Sequence, residues 1–394
     1  MQARVRTLLA LLLWPMVAMA GEWSGYISAE YRYFPQAPLD PAQAGSGSSL
    51  AAQPEYYREW DHGRQSLTIT PFARWDENDS ARSHADLREL LWLKAADDWE
   101  LRAGIGKVFW GVTESQHLVD IVNQTDFVES PDGEEKLGQP MLNLSLIRTW
   151  GTLDLFVLPG FRERSFPGRQ GRLRPIPYVD TSEPVYTSAK KQQHVDAAAR
   201  WSHYIGDWDL GLSYFRGTTR EPFYQYLPSR NVLLPVYDII DQLGIDVQAT
   251  LGFWLWKLEA IRRWGQVEPF NAVTAGFEYT LAGLFGTSAD LGVIMEYLYD
   301  QRGQWRFTPT PFANDLMLGL RLTPNDEQST EFLLGMIVDL DEGSRLITLE
   351  SSRRLGDSWK LTLEAQAFAK LSSSDILYGF RRDNYARMEL ARYF

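Results

Sequence analysis

Segments with strictly alternating polarity, aromatic residues near the ends of those segments and an exported-type amino terminus predict an all-β chain: an antiparallel up-and-down transmembrane β-barrel. Alternation at period two marks a strand with one apolar and one wet face. The 394 residues exceed an ordinary soluble core, but closed β-architectures run long as one unit. Aromatics make up 13% of the chain, with 15 Trp, 18 Tyr and 19 Phe, a load suited to girdles at two membrane interfaces. After residue 20 no stretch reaches the roughly 18 apolar residues of a spanning helix.

The amino terminus supplies an address. Arg4 and Arg6 precede an apolar run from Leu8 to Val17, followed by Ala18-Met19-Ala20. That is the pattern of a signal peptide, so residues 1–20 are expected to be removed and 21–394 to form a single barrel domain. Loss of the two arginines takes the formal charge from −12 to −14, which argues against nucleic acid as a partner. The chain has no cysteine, which excludes structural disulfides, thiolate metal sites and cysteine nucleophiles.

Each strand follows from its own alternation. From Glu22, the residues Trp23, Ile27, Ala29, Tyr31 and Tyr33 oppose Ser24, Ser28, Glu30 and Arg32. Further on, Leu243, Ile245 and Val247 oppose Gln242, Asp246 and Gln248. Trp254, Trp256, Leu258 and Ala260 oppose Lys257, Glu259 and Arg263. Leu291, Val293, Met295 and Tyr297 oppose Asp290 and Glu296. Phe332, Leu334 and Met336 oppose Glu331, and Leu361 and Leu363 oppose Lys360, Thr362 and Glu364. Charges of both signs on one face fit a membrane barrel with lipid outside and water within.

Short turns (Gly356–Ser358, Pro324–Gln328, Ala282–Thr287, Thr250–Gly252) alternate with longer links (Leu371–Arg382, Gly217–Ile240, Phe161–Lys191, Val112–Gly138). This is the pattern of short periplasmic turns and long extracellular loops. A count of segments gives seventeen, an odd number. Even numbers are the rule, so about 16 strands are expected, with 14–18 allowed, and the fault is placed in the Pro/Gly/Ser-rich stretch Pro35–Gly63. The closing stretch Tyr385–Phe394 alternates as well. With Tyr385, Met388, Leu390 and Phe394, it looks like the terminal signal by which outer-membrane barrels are recognised by their insertion machinery.

Residues Gly106–Pro140 stand apart. An apolar run, Leu118–Val122, leads into acidic residues, and a long loop that folds inward sets the narrowest point of a pore. Trp110, Gly111, Asp120, Asn123 and Asp126 resemble a loosely characterised class of Gram-negative, porin-like outer-membrane barrels in which a Trp-Gly strand end leads into a loop with Asp and Asn. The resemblance covers Trp99–Pro140. It implies a bacterial outer-membrane barrel with a transport role and no defined substrate.

Candidate pore-lining or constriction residues are therefore Arg102, Glu114, His117, Asp120, Asn123, Asp126, Lys257, Glu259, Glu278, Asp290, Glu296, Arg321, Glu331, Glu364 and Arg387. A second loop carries Arg162, Arg164, Arg169, Arg172 and Arg174, a set suited to anionic solutes or lipopolysaccharide phosphates. Glu114, Ser115, His117 and Asp120 are too loosely arranged to argue for catalysis or a metal site. The expectation is a non-enzymatic channel without cofactor, for small hydrophilic solutes or ions. Its partners would be outer-membrane lipid, lipopolysaccharide and the assembly machinery. The alternative is a non-conducting barrel serving a periplasmic export or transport partner.

Overall fold

The computed structural model describes residues 21–304 and 310–394. The expected signal peptide, residues 1–20, lies outside the described residues. The strands are β1 (Glu22–Tyr33), β2 (Ser46–Trp60), β3 (Gln65–Asp76), β4 (His84–Ala95), β5 (Trp99–Gly106), β6 (Gln139–Arg148), β7 (Gly151–Pro159), β8 (Tyr178–Val179), β9 (Val185–Tyr186), β10 (Val195–Ile205) and β11 (Trp208–Thr218). They continue as β12 (Phe223–Leu227), β13 (Val232–Tyr237), β14 (Ile239–Leu251), β15 (Trp254–Trp264), β16 (Phe270–Leu281), β17 (Asp290–Asp300), β18 (Asn314–Thr323), β19 (Glu331–Asp339), β20 (Arg345–Leu355), β21 (Trp359–Ala369) and β22 (Tyr385–Tyr393).

Eighteen of these form one antiparallel sheet, and β1 pairs with β22 to close it. Closure satisfies every strand edge, which a spanning β-structure requires. The strands β8, β9, β12 and β13 make a separate small sheet within the loops. The final residue is tied in as well: the Phe394 N–H donates to the Gly25 carbonyl at 3.1 Å.

Eighteen strands lie at the upper end of the expected 14–18, one more than the seventeen segments counted. The missed strand is β2, within the stretch already suspected. Its small polar residues and Pro54 disguise it. Proline has no N–H to give to a ladder. The β2–β3 ladder is accordingly interrupted, at unchanged register, between Ala52–Ala73 and Tyr56–Ile69, where Pro54 and Pro71 stand, and β3–β4 shifts register at Thr70/Pro71. On the other side Pro54 faces Gly25 of β1, where φ is +137° and a Cβ would come within 2.3 Å of the Gln53 carbonyl. Only glycine fits that approach.

The two faces sort as the alternation predicts. Trp254, Leu334 and Leu363 are 38%, 45% and 44% exposed on the outside, while Glu259 is fully buried within. Trp254 and Trp256 stack at 5.6 Å and meet Phe277 and Tyr279, an aromatic patch near one rim. That rim carries the turns 61–64, 96–98, 149–150, 206–207, 252–253 and 356–358, together with Glu22 and Phe394. The loops 34–45, 107–138, 160–194, 219–238 and 370–384 leave from the opposite rim. The terminal signal needs one correction. Tyr385 faces inward and donates its hydroxyl to Glu364, whereas Met388 and Leu390 face outward, because an odd spacing separates Tyr385 from them.

A charge on the lipid face tests this inversion. Leu363→Arg, near the middle of β21, is expected to cost about 2–4 kcal/mol of folding stability in lipid vesicles. Thr362→Arg, one residue away on the wet face, is expected to cost much less. Equal losses in denaturant titration would contradict the assignment of faces.

Candidate functional site

The loop of residues 107–138 folds into the lumen and spans it. Its base is closed by Asn123. The Val108 N–H donates to Asn123 Oδ1 at 2.8 Å, and Asn123 Nδ2 donates to the Gly106 and Leu137 carbonyls at 2.9 and 2.8 Å. One buried amide thus joins the two ends of the loop to its middle.

Beyond Trp110 the chain reaches the far wall, where four successive backbone N–H groups meet two carboxylates. Val112 and Thr113 donate to Glu259 Oε1 at 2.7 and 3.0 Å. Glu114 and Ser115 donate to Glu296 at 2.7 and 2.8 Å. The Thr113 and Ser115 hydroxyls join them at 2.7 and 2.6 Å, and the Val119 N–H reaches Glu259 Oε2 at 3.1 Å. Gln116 donates to Thr274 Oγ1 at 2.7 Å, and Glu114 pairs with Arg321 at 2.6 Å. These partners belong to β15, β16, β17 and β18, across the barrel from β5. Each hydrogen bond to an ionised group contributes about 1.5–3 kcal/mol, and removal of the acceptor leaves buried donors unpaired.

The loop then turns back along β15, β14, β11 and β7. Leu118–Val122 is irregular rather than helical, and Val119, Ile121 and Val122 bury against Phe156, Leu158, Phe215, Ile240 and Ile261. This is an apolar core inside the barrel. The Val122 carbonyl accepts from Arg220 at 2.9 and 3.1 Å, Asp126 pairs with Arg88 at 2.6 Å, and Glu129 pairs with Arg74 at 2.8 Å. The loop therefore partitions the lumen: the inner face of β6–β17 is covered, while that of β19–β21 stays accessible.

The predicted site residues divide accordingly. Glu259 and Glu296 are 0% exposed, so they anchor the loop rather than line open space. Asp120, Asn123 and Asp126 are likewise buried inside the loop, Asp120 with Lys136 at 3.2 Å. Asp290 caps a turn, accepting from Gly283 at 2.9 Å and Asn325 at 3.0 Å. Lys257, Glu114, Arg321 and Glu278 form one linked group, with separations of 3.6, 2.6 and 3.5 Å along the chain of pairs. Arg102 pairs with Glu100 at 2.5 Å on the near wall. Glu364 and Arg387 pair at 2.7 Å on the accessible side, and Glu331 is exposed near the rim of short turns. Ser115 is bound to Glu296 and not to His117, so no nucleophile–base pair forms there.

The arginine-rich loop needs a larger correction. Arg172 pairs with Asp383 at 2.6 Å, Arg174 with Asp40 at 2.8 Å and Arg162 with Asp86 at 2.8 Å, while Arg164 donates to the Arg220 carbonyl at 2.8 Å. Arg169 stands 4.7 Å over the Tyr178 ring. These arginines are fastenings. With Gly168 donating to Asp79 at 2.9 Å and Gln43 to the Gly171 carbonyl at 2.7 Å, they carry the loop after β7 across the mouth to the loops after β1, β3 and β21. Sequence reasoning missed Arg88, Arg220 and the cluster of Glu30 with Arg32, Arg74 and Arg82. Alternation marks Glu30 and Arg32 as inward, but no local signal marks their partners.

Electrostatics reinforce the loop. Burial opposes charge on His117, but Glu134 at 3.4 Å and Glu259 at 3.9 Å outweigh it and push its pKa up to about 10. Burial also works against ionised Asp126, yet His84 and Arg88 hold it down to about 2. A raised histidine pKa stabilises fully below the unfolded value, near 6.5, and the gain is lost as pH rises through about 10. The His117 ring resonances are expected to stay in the protonated position at pH 8 in an NMR titration, and Glu134→Gln to move the transition to lower pH. A transition near 6.5 in the unmodified protein would contradict the clamp.

No family model matches the chain, and no curated protein matches it. Solved structures do. Wzi of Escherichia coli, an outer-membrane protein involved in group 1 capsule assembly, superposes with a TM-score of 0.55 at 12% identity, covering 99% of this chain and 86% of Wzi. OccD3 of Pseudomonas aeruginosa gives 0.55 at 8% identity, over 96% and 91% of the two chains. A BenF-like porin of Pseudomonas fluorescens gives 0.53 at 10% identity, over 95% and 98%. The chain has the fold of these proteins: a closed, porin-like, eighteen-stranded antiparallel β-barrel.

Proposed function

We propose that the chain is a porin-type channel for passive diffusion of small hydrophilic solutes or ions. The observation that carries this reading is the one-sided filling of the lumen. On β14–β17 the inward residues Gln242, Asp246, Thr274 and Glu296 are buried under the loop. On β20 and β21 the corresponding Thr348, Glu350, Thr362 and Gln366 remain accessible. A polar, ionised wall of this kind is costly unless hydrated, so water fills the uncovered side. The reading assigns no catalytic residue.

A second reading, a non-conducting barrel that binds or serves a periplasmic partner, is favoured by the loop fastened across the mouth through Arg172 and Asp383. Wzi, a carbohydrate-binding barrel, is the relevant likeness. Planar-bilayer recording separates the two. Stepwise ion conductance is expected from the folded protein, and Glu259→Ala, which releases the loop, is expected to raise or destabilise the conductance level by about twofold or more. Folded protein that never conducts, together with a stoichiometric partner in purification, would favour the second reading.

A further inference from the structure

The uncovered side of the lumen carries an asymmetry between paired and unpaired charge. Three of its inward arginines are engaged: Arg74 with Glu129 at 2.8 Å, Arg321 with Glu114 at 2.6 Å and Arg387 with Glu364 at 2.7 Å. Lys257, under the loop, also pairs with Glu114, at 3.6 Å. Lys107 at the loop base faces Glu89. Among the described residues Lys107 forms no ion pair, and neither do Arg354 and Lys360, which sit opposite one another beside the turn 356–358, at the rim.

Several acids of the same space are not neutralised. Glu350 on β20 is exposed, with no ion pair or hydrogen bond among the described residues. Its charged surroundings are Glu364, Arg387 and, from the loop, Asp132 and Glu114. Arg387 is already committed to Glu364. Asp132 and Glu135 are exposed on the loop edge; among the described residues Asp132 is held by Ser130 and local backbone, and Glu135 forms no ion pair. An ion pair acts on a passing ion as a dipole whose field falls off quickly, while an unpaired carboxylate acts as a full charge over a Debye length, about 10 Å at 0.1 M salt. The loop edge and the wall of β20 thus present the same sign to each other.

Resting on the channel reading above, we propose that the gap between the loop edge at Asp132–Glu135 and Glu350 of β20 is the selectivity region and that it passes cations in preference to anions. The arginines that line the same space set its shape and leave the sign of the field to the unpaired acids.

The test is the reversal potential of the full-length barrel in planar bilayers under a tenfold KCl gradient. A K⁺ over Cl⁻ permeability ratio of about 3 or more is expected at about 0.1 M on the dilute side, shrinking as salt approaches 1 M, where the Debye length is about 3 Å. Glu350→Gln combined with Asp132→Asn is expected to lower the ratio at least about twofold. Both changes are isosteric and leave the loop anchors Glu259 and Glu296 untouched. Arg354→Gln with Lys360→Gln is the control and is expected to leave the ratio close to that of the unmodified protein. A ratio at or below one, or a ratio that the acid variants do not move, overturns the proposal while leaving the channel intact. Absence of conductance in folded protein removes the channel reading, and the proposal falls with it.

Discussion

The inward carboxylate of Glu259 is the constraint on which the interior depends. It sits fully buried on β15 and accepts three backbone N–H groups and one hydroxyl from a loop that starts on the opposite wall. An isolated carboxylate in that position would be prohibitively costly. A loop crossing the lumen would in turn leave its own N–H groups unpaired. Each resolves the other's deficit, and Glu296 repeats the arrangement one turn of the loop further on. The division of the lumen into a filled and an open side follows from these two contacts and from the apolar run that the return path buries.

That division gives the barrel two interiors. Beneath the loop, Phe156, Leu158, Phe215, Ile240 and Phe270 face inward and pack as a soluble core does. Against Thr348 and Glu350 of β20 and Thr362 and Gln366 of β21 the inner face is polar and accessible. The mouth is handled separately. The arginines of the loop after β7 bind acids from two other loops and from β4, so the cover is held by charge-assisted hydrogen bonds rather than by apolar packing. Partly buried pairs of this kind are less screened by salt than exposed ones.

The fold was largely legible in the sequence because its signal is local. Trp254, Leu334 and Leu363 declare their face by alternation with their immediate neighbours, and the closing strand does the same. Strand β2 escaped because two prolines interrupt its ladders and a glycine on β1 absorbs the misfit, a compensation spread over three strands. The site was legible only in part. Alternation places Glu259 and Glu296 inward, but whether an inward acid lines water or is buried under a loop depends on partners 147 and 182 positions away in the chain. The arginines after β7 looked free for the same reason: Asp383 lies 211 positions from Arg172. Long-range ion pairs leave no mark in spacing or composition.

The central claim is that residues 112–119 lie against the far wall of the lumen, and the absence of native cysteine makes it directly measurable. Gln116 and Thr274 touch at 2.7 Å across that junction. With Gln116→Cys and Thr274→Cys introduced together, a short bis-thiol crosslinker applied to the folded barrel in membranes should join them in nearly every molecule. Efficient capture at a control pair on neighbouring strands with none at 116 and 274 would show that the loop does not cross the lumen, and the division of the interior would have to be abandoned.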